Sequence, residues 1–465
     1  MMRSLFSGVA GLKTHQTKMD VIGNNIANVN TVAYKSQNVT FQELMYQTTQ
    51  NASAANAETG RGGINAKQIG LGVQTGAINA NISTSGASQT TGNPFDVQIK
   101  GDSFFVVSDG SSNYFTRAGA FYVDGMGNLA MTSNGYTVMG WQEDPNNRGT
   151  IIKDTVSPLR IMSAENKTSE PEMTTKAFLS GVIDKNSTQL AGDGLIVNVS
   201  LYDNLGYSYI AKFAIKSTTT AGSYEIKVKD IVDSKGYSLM WSKDEPGYEK
   251  TGYDADGGPG AGAKVTPTLT GSPLKYDPET GKNQYAETDK DNPLKLAIAG
   301  NPGFATSTTN PIEIYVGTST MYDNKGTSTI KGNSGDYNGQ YAGRKVGEMS
   351  GVAIAQDGKI TATYDNGTSK LLGQIAVANF ANPSGLEKIG DNLYQSTPNS
   401  GAFDGIGEDI TAGSGSLSTG VLEMSNVDLS AEFTDMITTQ RGFQANSRII
   451  TVSDSMLEEL TNLKR

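Results

Sequence analysis

Apolar residues recur every seven positions at two ends of the chain. Leu5, Leu12, Met19 and Ile26 keep this period, with Val9, Ile22 and Val29 on flanking helical positions. Leu429, Met436, Phe443, Ile450 and Leu457 keep it again near the far end, joined by Phe433 and Leu460. Repeats of this kind give a helix one apolar column, the signature of a coiled coil. Ordinary amphipathic helices on a globular core bury one stripe as well, but the period here holds over several heptads, so the two ends are expected to pair. Charge points the same way. Residues 1–35 carry four basic side chains (Arg3, Lys13, Lys18, Lys35) against Asp20, a net +3. Residues 427–465 carry four basic against six acidic ones, a net −2. Opposite signs on two helical seams favour association, an attraction that salt screens. A chain whose ends pair must send its middle out and back, so the domains between them are expected to be nested.

Between the helical ends the pattern shifts to period two. Residues 93–145 hold short apolar and aromatic runs separated by Asp109-Gly110, Asp124-Gly125 and Asn134-Gly135, which are hairpin signals because both central positions tolerate positive φ. Residues 345–424 repeat the style, with alternating Ile360, Ala362 and Tyr364 before Asn366-Gly367. These two stretches are expected to fold together as a middle β domain. Residues 146–344 form an insertion with two β-rich halves, each with a Tyr-Asp-Asn-x-Gly turn (Tyr202 to Gly206, Tyr322 to Gly326). A faint repeat and convergent hairpin chemistry explain that pair equally well. The stretch from Asp244 to Pro293, rich in Gly, Pro, Asp and Lys, is expected to be a surface excursion or a poorly cored division between the halves. Residues 36–92 are poor in large apolar side chains from Gln47 onward and read as an extended connector or hinge. The expected fold class is therefore multidomain α+β. Paired N- and C-terminal helices (1–35 and 425–465) form a coiled-coil-like inner domain, with nested all-β middle and outer domains between them.

One helical segment breaks the usual pattern. "DVIGNNIANVNTVAYK" (Asp20 to Lys35) places Asn24, Asn25, Asn28 and Asn30 beside its apolar stripe, although asparagine competes for nearby backbone groups and forms helices weakly. Asn28 and Asn30 suit a helix C-terminus. The Asn24-Asn25 pair does not, and two roles offer themselves in an assembly of packed helices: bonding to a neighbouring subunit, or lining a wet, uncharged channel.

Composition narrows the function. Of 465 residues, 36% are hydrophobic and 18% charged, with 55 Gly and 20 Tyr, a mix suited to short strands and tight turns. The net charge is −10 and no Lys/Arg block appears, which argues against a nucleic-acid surface. No apolar run approaches the roughly 18 residues that would suggest a membrane span. Cysteine is absent, which removes disulfides, thiolate catalysis and Cys-type zinc sites. "SLFSGVAGLKTHQTK" is broken by Lys13 and His15 before an adequate apolar core forms, so a cleaved secretory signal is not expected.

Candidate chemistry is sparse. The single histidine, His15, lies in the first heptad helix, away from any expected cleft, and no G-x-S-x-G elbow accompanies it. The Asp-rich turn at Asp254 to Gly258 fails the calcium-loop pattern, because the twelfth position is Val265. "GGPGAG" (Gly257 to Gly262) has no following Gly-Lys-Ser/Thr and fails as a phosphate loop. Paired carboxylates for glycoside hydrolysis are a spatial matter, and no pair stands out. Neither a catalytic residue nor a cofactor or metal is expected.

Against this background, several stretches carry a resemblance. "SGVAGLKTHQTKMDVIGNNIANVNTVAYK" (Ser7 to Lys35) and "SNVDLSAEFTDMITTQRGFQANSRIITVSDSMLEEL" (Ser425 to Leu460) resemble the terminal signatures of the bacterial flagellar rod and hook axial proteins. "FDVQIKGDSFFVV" with "YFTRAGAF", and "VANFANPSGLEKIGDNLYQ" with "TGVLEMSNVDLS", extend the likeness into the β region. It fades across 146–344. The size of that insertion is most similar to the hook members, a distal rod subunit being the alternative. The resemblance implies a self-assembling subunit of a curved tubular polymer that transmits torque between rod and filament. It implies export through the flagellar type III apparatus without a cleaved signal. The implied partners are further copies of the chain, the hook cap, the distal rod protein, the hook–filament junction protein and the export apparatus. The residues expected to carry assembly are Leu5, Leu12, Met19, Ile22, Asn24, Asn25, Ile26, Leu429, Phe433, Met436, Phe443, Ile450 and Leu457. A secreted carboxylate-dependent glycosidase, which polymerisation with no hydrolysis of sugars would reject, and a surface adhesin, which leaves the heptad ends unexplained, are the rivals from other classes.

Overall fold

The computed structural model describes residues 2–54, 60, 62–145, 147–240, 265–271, 274–284, 293–300, 303–304, 309–413 and 415–463. Most regular structure is β, with two long helices, α1 (Met2–Ala27) and α2 (Leu429–Asn462), at the two ends. The chain divides into two compact units. Unit 1 comprises Met1–Asn166, Val352–Ala362 and Lys370–Arg465, and unit 2 comprises Lys167–Gly351 and Thr363–Ser369.

In unit 1, α2 starts where Asp428 supplies an N-cap: its side chain accepts from the amides of Ser430 and Ala431. Residues expected to form a connector instead build a ribbon. Strand β1 (Gln37–Glu43) pairs antiparallel with β4 (Val73–Ala80), and β2 (Tyr46–Gln50) pairs with β3 (Lys67–Gly70). The low apolar content that suggested a loop reflects a ribbon with little to bury, since two strands satisfy each other's backbone groups without a core. Phe41, Met45, Tyr46, Ile69 and Ile78 on it are all exposed.

The sheet of unit 1 interleaves strands from distant stretches. Strand Thr137–Gln142 pairs through Gly140 and Trp141 with Ile375 and Gln374. Val377 lies opposite Phe105 and Leu393 opposite Thr116, and in a separate two-stranded sheet Leu417 lies opposite Ile99. One core of this unit gathers Ile82, Phe104, Val106, Phe115, Met139, Ala378, Leu386 and Tyr394. Hairpin chemistry follows the sequence at Asn134-Gly135 and Asn366-Gly367, whose glycines take φ of 75° and 77°. At Asp124 the turn is wider. The Asp124 carboxylate accepts from the amides of Met126 and Asn128, and positive φ falls on Gly127.

Unit 2 is β throughout its longer elements. Strand Lys176–Asp184 lies parallel to Ile312–Tyr315 and Ser319–Tyr322 and antiparallel to Lys331–Ser334. A second sheet runs through Leu195–Tyr202, Ser208–Ser217 and Ser223–Asp233 to Leu274–Lys275. A single core cluster spans both sheets, from Ala177 to Ile330. The described part of Asp244 to Pro293 is no surface excursion: Val265, Leu274 and Tyr276 are buried in that core. Its polar composition hid a few apolar anchors spaced by turns. The Asp-rich and Gly-rich turns between Asp254 and Gly262 lie outside the described residues. In both Tyr-Asp-Asn-x-Gly turns the aspartate accepts from the amide two residues on, Leu205 to Asp203 and Lys325 to Asp323, and the further bonds differ. Asp203 accepts from Leu205 and Tyr207 within its own turn, whereas Asn324 and Gly326 donate to Asp184 of a neighbouring strand.

Candidate functional site

The two helices pack antiparallel within unit 1. From one end of the pair to the other, Ser4 meets Ser453 at 3.5 Å. A Cβ placed on Gly8 would lie 3.3 Å from Ile450, and one on Gly11 would touch the Asn446 amide. The His15 ring covers Gly442, Lys18 Nζ lies 3.1 Å from Asp435, and Asn25 Nδ2 donates to Glu432 at 2.8 Å. On α1 the meeting positions are 4, 8, 11, 15, 18 and 25, alternating by three, four or seven residues, so heptad spacing is present. Its column, however, stands one residue away from the Leu5, Leu12, Met19 and Ile26 column from which pairing was expected. Small residues explain the displacement: glycines at 8, 11 and 442 let the backbones approach, where leucines would hold them apart.

The assembly residues read from sequence are therefore placed as follows. Ile22 is buried, as is Asn25. Leu5, Leu12, Met19, Ile26, Met436, Phe443, Ile450 and Leu457 are half-buried beside the seam. Asn24, Leu429 and Phe433 are exposed. Further apolar residues of α2 that the heptad count did not single out, Ile437, Ile449, Val452 and Met456, are exposed too, Ile437 at 60%. The i, i+3, i+7 spacing of the last three was the available signal.

Asn25 makes all four of its bonds inside the chain. Its Nδ2 donates to Glu432 and to the Gln37 carbonyl at 2.9 Å. Its Oδ1 accepts from the Tyr34 hydroxyl at 3.2 Å and the Gln37 amide at 3.0 Å. Asn24 donates to the same Tyr34 oxygen at 3.1 Å, and Asn28 bonds back to the Asn24 carbonyl at 2.9 Å. The amides thus fasten the turn leaving α1, with neither a neighbouring subunit nor a channel required for Asn25. Burial raises the pKa of Glu432 against the opposing effect of the Asn25 bond, and burial likewise raises that of Tyr34. His15 stands edge-on to Phe41 at 5.5 Å, and burial and then the Lys18 charge lower its pKa. Among the described residues, no cluster of His, Cys, Asp or Glu could hold a metal ion, and no helix is long and apolar enough to cross a membrane.

The known families place the chain among the axial proteins of the bacterial flagellum. Residues 5–35 match the family "Flagella basal body rod protein", residues 98–167 the "Flagellar hook protein FlgE/F/G D1 domain", and residues 418–463 the "Flagellar basal body rod FlgEFG protein C-terminal". The chain is 36% identical to the flagellar hook protein FlgE of Borreliella burgdorferi and 35% identical to that of Treponema pallidum, in both cases over 100% of each chain. It is 30% identical to the flagellar basal-body rod protein FlgG of Bacillus subtilis, again over the full length of both. A solved hook protein FlgE2 of Helicobacter pylori is similar over 72% of this chain and 100% of that one, at 15% identity and a TM-score of 0.40, so the assignment stands on the sequence relatives. The chain belongs to the flagellar hook protein FlgE family. It is a structural subunit of the flagellar hook and not an enzyme.

Proposed function

We propose that this hook subunit self-assembles, through its terminal helices, into a curved tubular polymer that acts as a flexible joint transmitting torque from rod to filament. The observation that carries the reading is the apolar surface that remains once α1 and α2 have paired. Phe6 is 62% exposed, Phe433 49% and Val452 55%, and the leucine columns beside the seam are only half covered. Apolar area of this kind is stabilised by about 25 cal/mol per Å² when another copy removes it from water. In this reading residues 1–35 and 425–465 form the inner tube in a coiled-coil-like arrangement, 93–145 and 345–424 the middle domain, and 146–344 the outer domain. The ribbon within 36–92 wedges between neighbours, with Met45, Tyr46 and Ile69 as its exposed contacts. Stiffness in twist belongs to the helices, and softness in bending to polar contacts between outer domains. Partners are further copies, the hook cap, the distal rod protein, the hook–filament junction protein and the export apparatus, through which the chain leaves the cell without a cleaved signal.

Polymerising the purified chain and viewing it by negative-stain microscopy tests the proposal. A curved tube is expected. A straight one would favour the rod reading, behind which stands the Bacillus relative at lower identity. Replacing Leu12 or Phe443 by Asp is expected to abolish the polymer while the β signal in circular dichroism persists, because a charge would enter a buried contact. Unchanged assembly would remove these residues from the interface.

A further inference from the structure

Three charged side chains from distant parts of the chain meet inside unit 1, none of them in contact with solvent. Lys35 follows α1, Arg117 follows strand Asn113–Thr116, and Glu423 closes strand Val421–Glu423 just before α2. Their side chains are 1%, 0% and 0% exposed. Lys35 Nζ lies 2.8 Å from Glu423 Oε1, and Arg117 Nη1 lies 3.8 Å from Glu423 Oε2. One carboxylate therefore serves two buried cations.

The surrounding bonds tie the same segments together. Lys35 Nζ also donates to the Thr84 carbonyl at 2.8 Å, and the Gly86 amide donates to Glu423 Oε1 at 3.0 Å. Arg117 donates to the Gly101 carbonyl and lays its guanidinium over the Phe104 ring. The Ala33 amide donates to the Glu423 carbonyl, and the Met424 amide to the Ala87 carbonyl, each at 2.8 Å. Arg117 Nε and Nη1 and Glu423 Oε2 make no hydrogen bond, so the Arg117–Glu423 attraction is one of charge at a distance.

Without Glu423 the site would hold two like charges in a medium that screens them poorly, an arrangement far worse than either a complete ion cluster or an apolar replacement. We infer that Lys35, Arg117 and Glu423 form a charge latch that makes docking of both chain ends and closure of the β unit one cooperative event. Glu423 lies 388 residues beyond Lys35. A chain presented from its N-terminus therefore carries two cations with only the charge of Asp102 acting on them, and no carboxylate paired with them, until its last segment arrives, and burying them earlier is opposed. The latch holds unit 1 open until the C-terminal segment is present. This rests on the cluster itself and not on the polymer reading.

Hydrogen exchange of the full chain, followed by mass spectrometry, tests the latch. In Glu423→Gln, protection is expected to fall together by about a hundredfold or more in three places: the end of α1 through Lys35, the strands between Val97 and Ser108, and the segment from Leu417 to the start of α2. Removing both cations as well, in Lys35→Met/Arg117→Met/Glu423→Gln, is expected to restore most of that protection. A loss confined to the residues beside 423, or one that removal of the cations does not relieve, would overturn the inference. Should Glu423→Gln fail to fold, the triple variant decides alone: a folded chain supports the latch and an unfolded one refutes it.

Discussion

Lys388 shows how one residue reports on the packing around it. Its Nζ donates to the Lys35 carbonyl at 3.0 Å and stands over the Tyr34 ring at 5.0 Å. Burial first, and then the Lys35 charge, lower its pKa to about 8. The unfolded value is near 10.5, so above pH 8 the folded chain loses a proton that the unfolded chain still holds. Stability rises with pH wherever the unfolded state binds more protons. Urea unfolding of unit 1 is therefore expected to shift to higher concentration as pH rises from 8 towards 10, and Lys388→Met should flatten that rise. Lys35, whose pKa burial also lowers, acts in the same sense. Above pH 10 Tyr34 and Tyr394, whose pKa values are raised by burial, reverse the trend.

Between elements, the helix seam turns on a knob and a hole. A Cβ on Gly442 would sit 2.6 Å from His15 Cε1, and the ring has little room to retreat because its other contact is Phe41. Gly442→Ala gains about 1 kcal/mol of helix propensity but must displace the imidazole, and loss of helix pairing is the expected net result. In a His15→Ala background the same substitution is expected to stabilise. Thermal melts followed at the helical signal complete the double-mutant cycle; identical effects in both backgrounds would mean the ring is not the obstacle. The seam also shows where sequence reading loses its way. Heptad spacing is written in the apolar residues, and it located both helices. On α1 the column that meets is written in serine, glycine, histidine, lysine and asparagine, which carry no apolar signal. The ribbon was missed for a related reason: its strands pair with each other and need no apolar face.

At the scale of the whole molecule, two units with separate cores are expected to respond separately. Tyr276 is 2% exposed, with its hydroxyl 2.6 Å from Ser319 and its ring near Tyr224. Tyr276→Ala is expected to cost unit 2 about 3–5 kcal/mol, seen as a lower melting temperature of its β signal, while the helical signal of unit 1 melts where it did. Simultaneous loss of both would show that the two cores fold as one. Tyr276 lies in a stretch whose composition reads as solvent-exposed, and only the placement of its few apolar side chains in a shared core gives it this weight.

The sequence by itself determined what depends on neighbours along the chain. Its seven-residue period made two terminal helices, Asp428 set where the second begins, and Asn-Gly pairs bent the strands. It also carried the family, because the signatures at both ends are continuous segments. Tertiary structure decided what depends on residues far apart. It chose which helix column would meet, turned Asn25 inward to fasten its own chain, and brought Glu423 to two cations that no local pattern connects. Local propensity acts over a few residues, whereas close backbone approach and buried charge have a cost or a benefit only once distant segments have met.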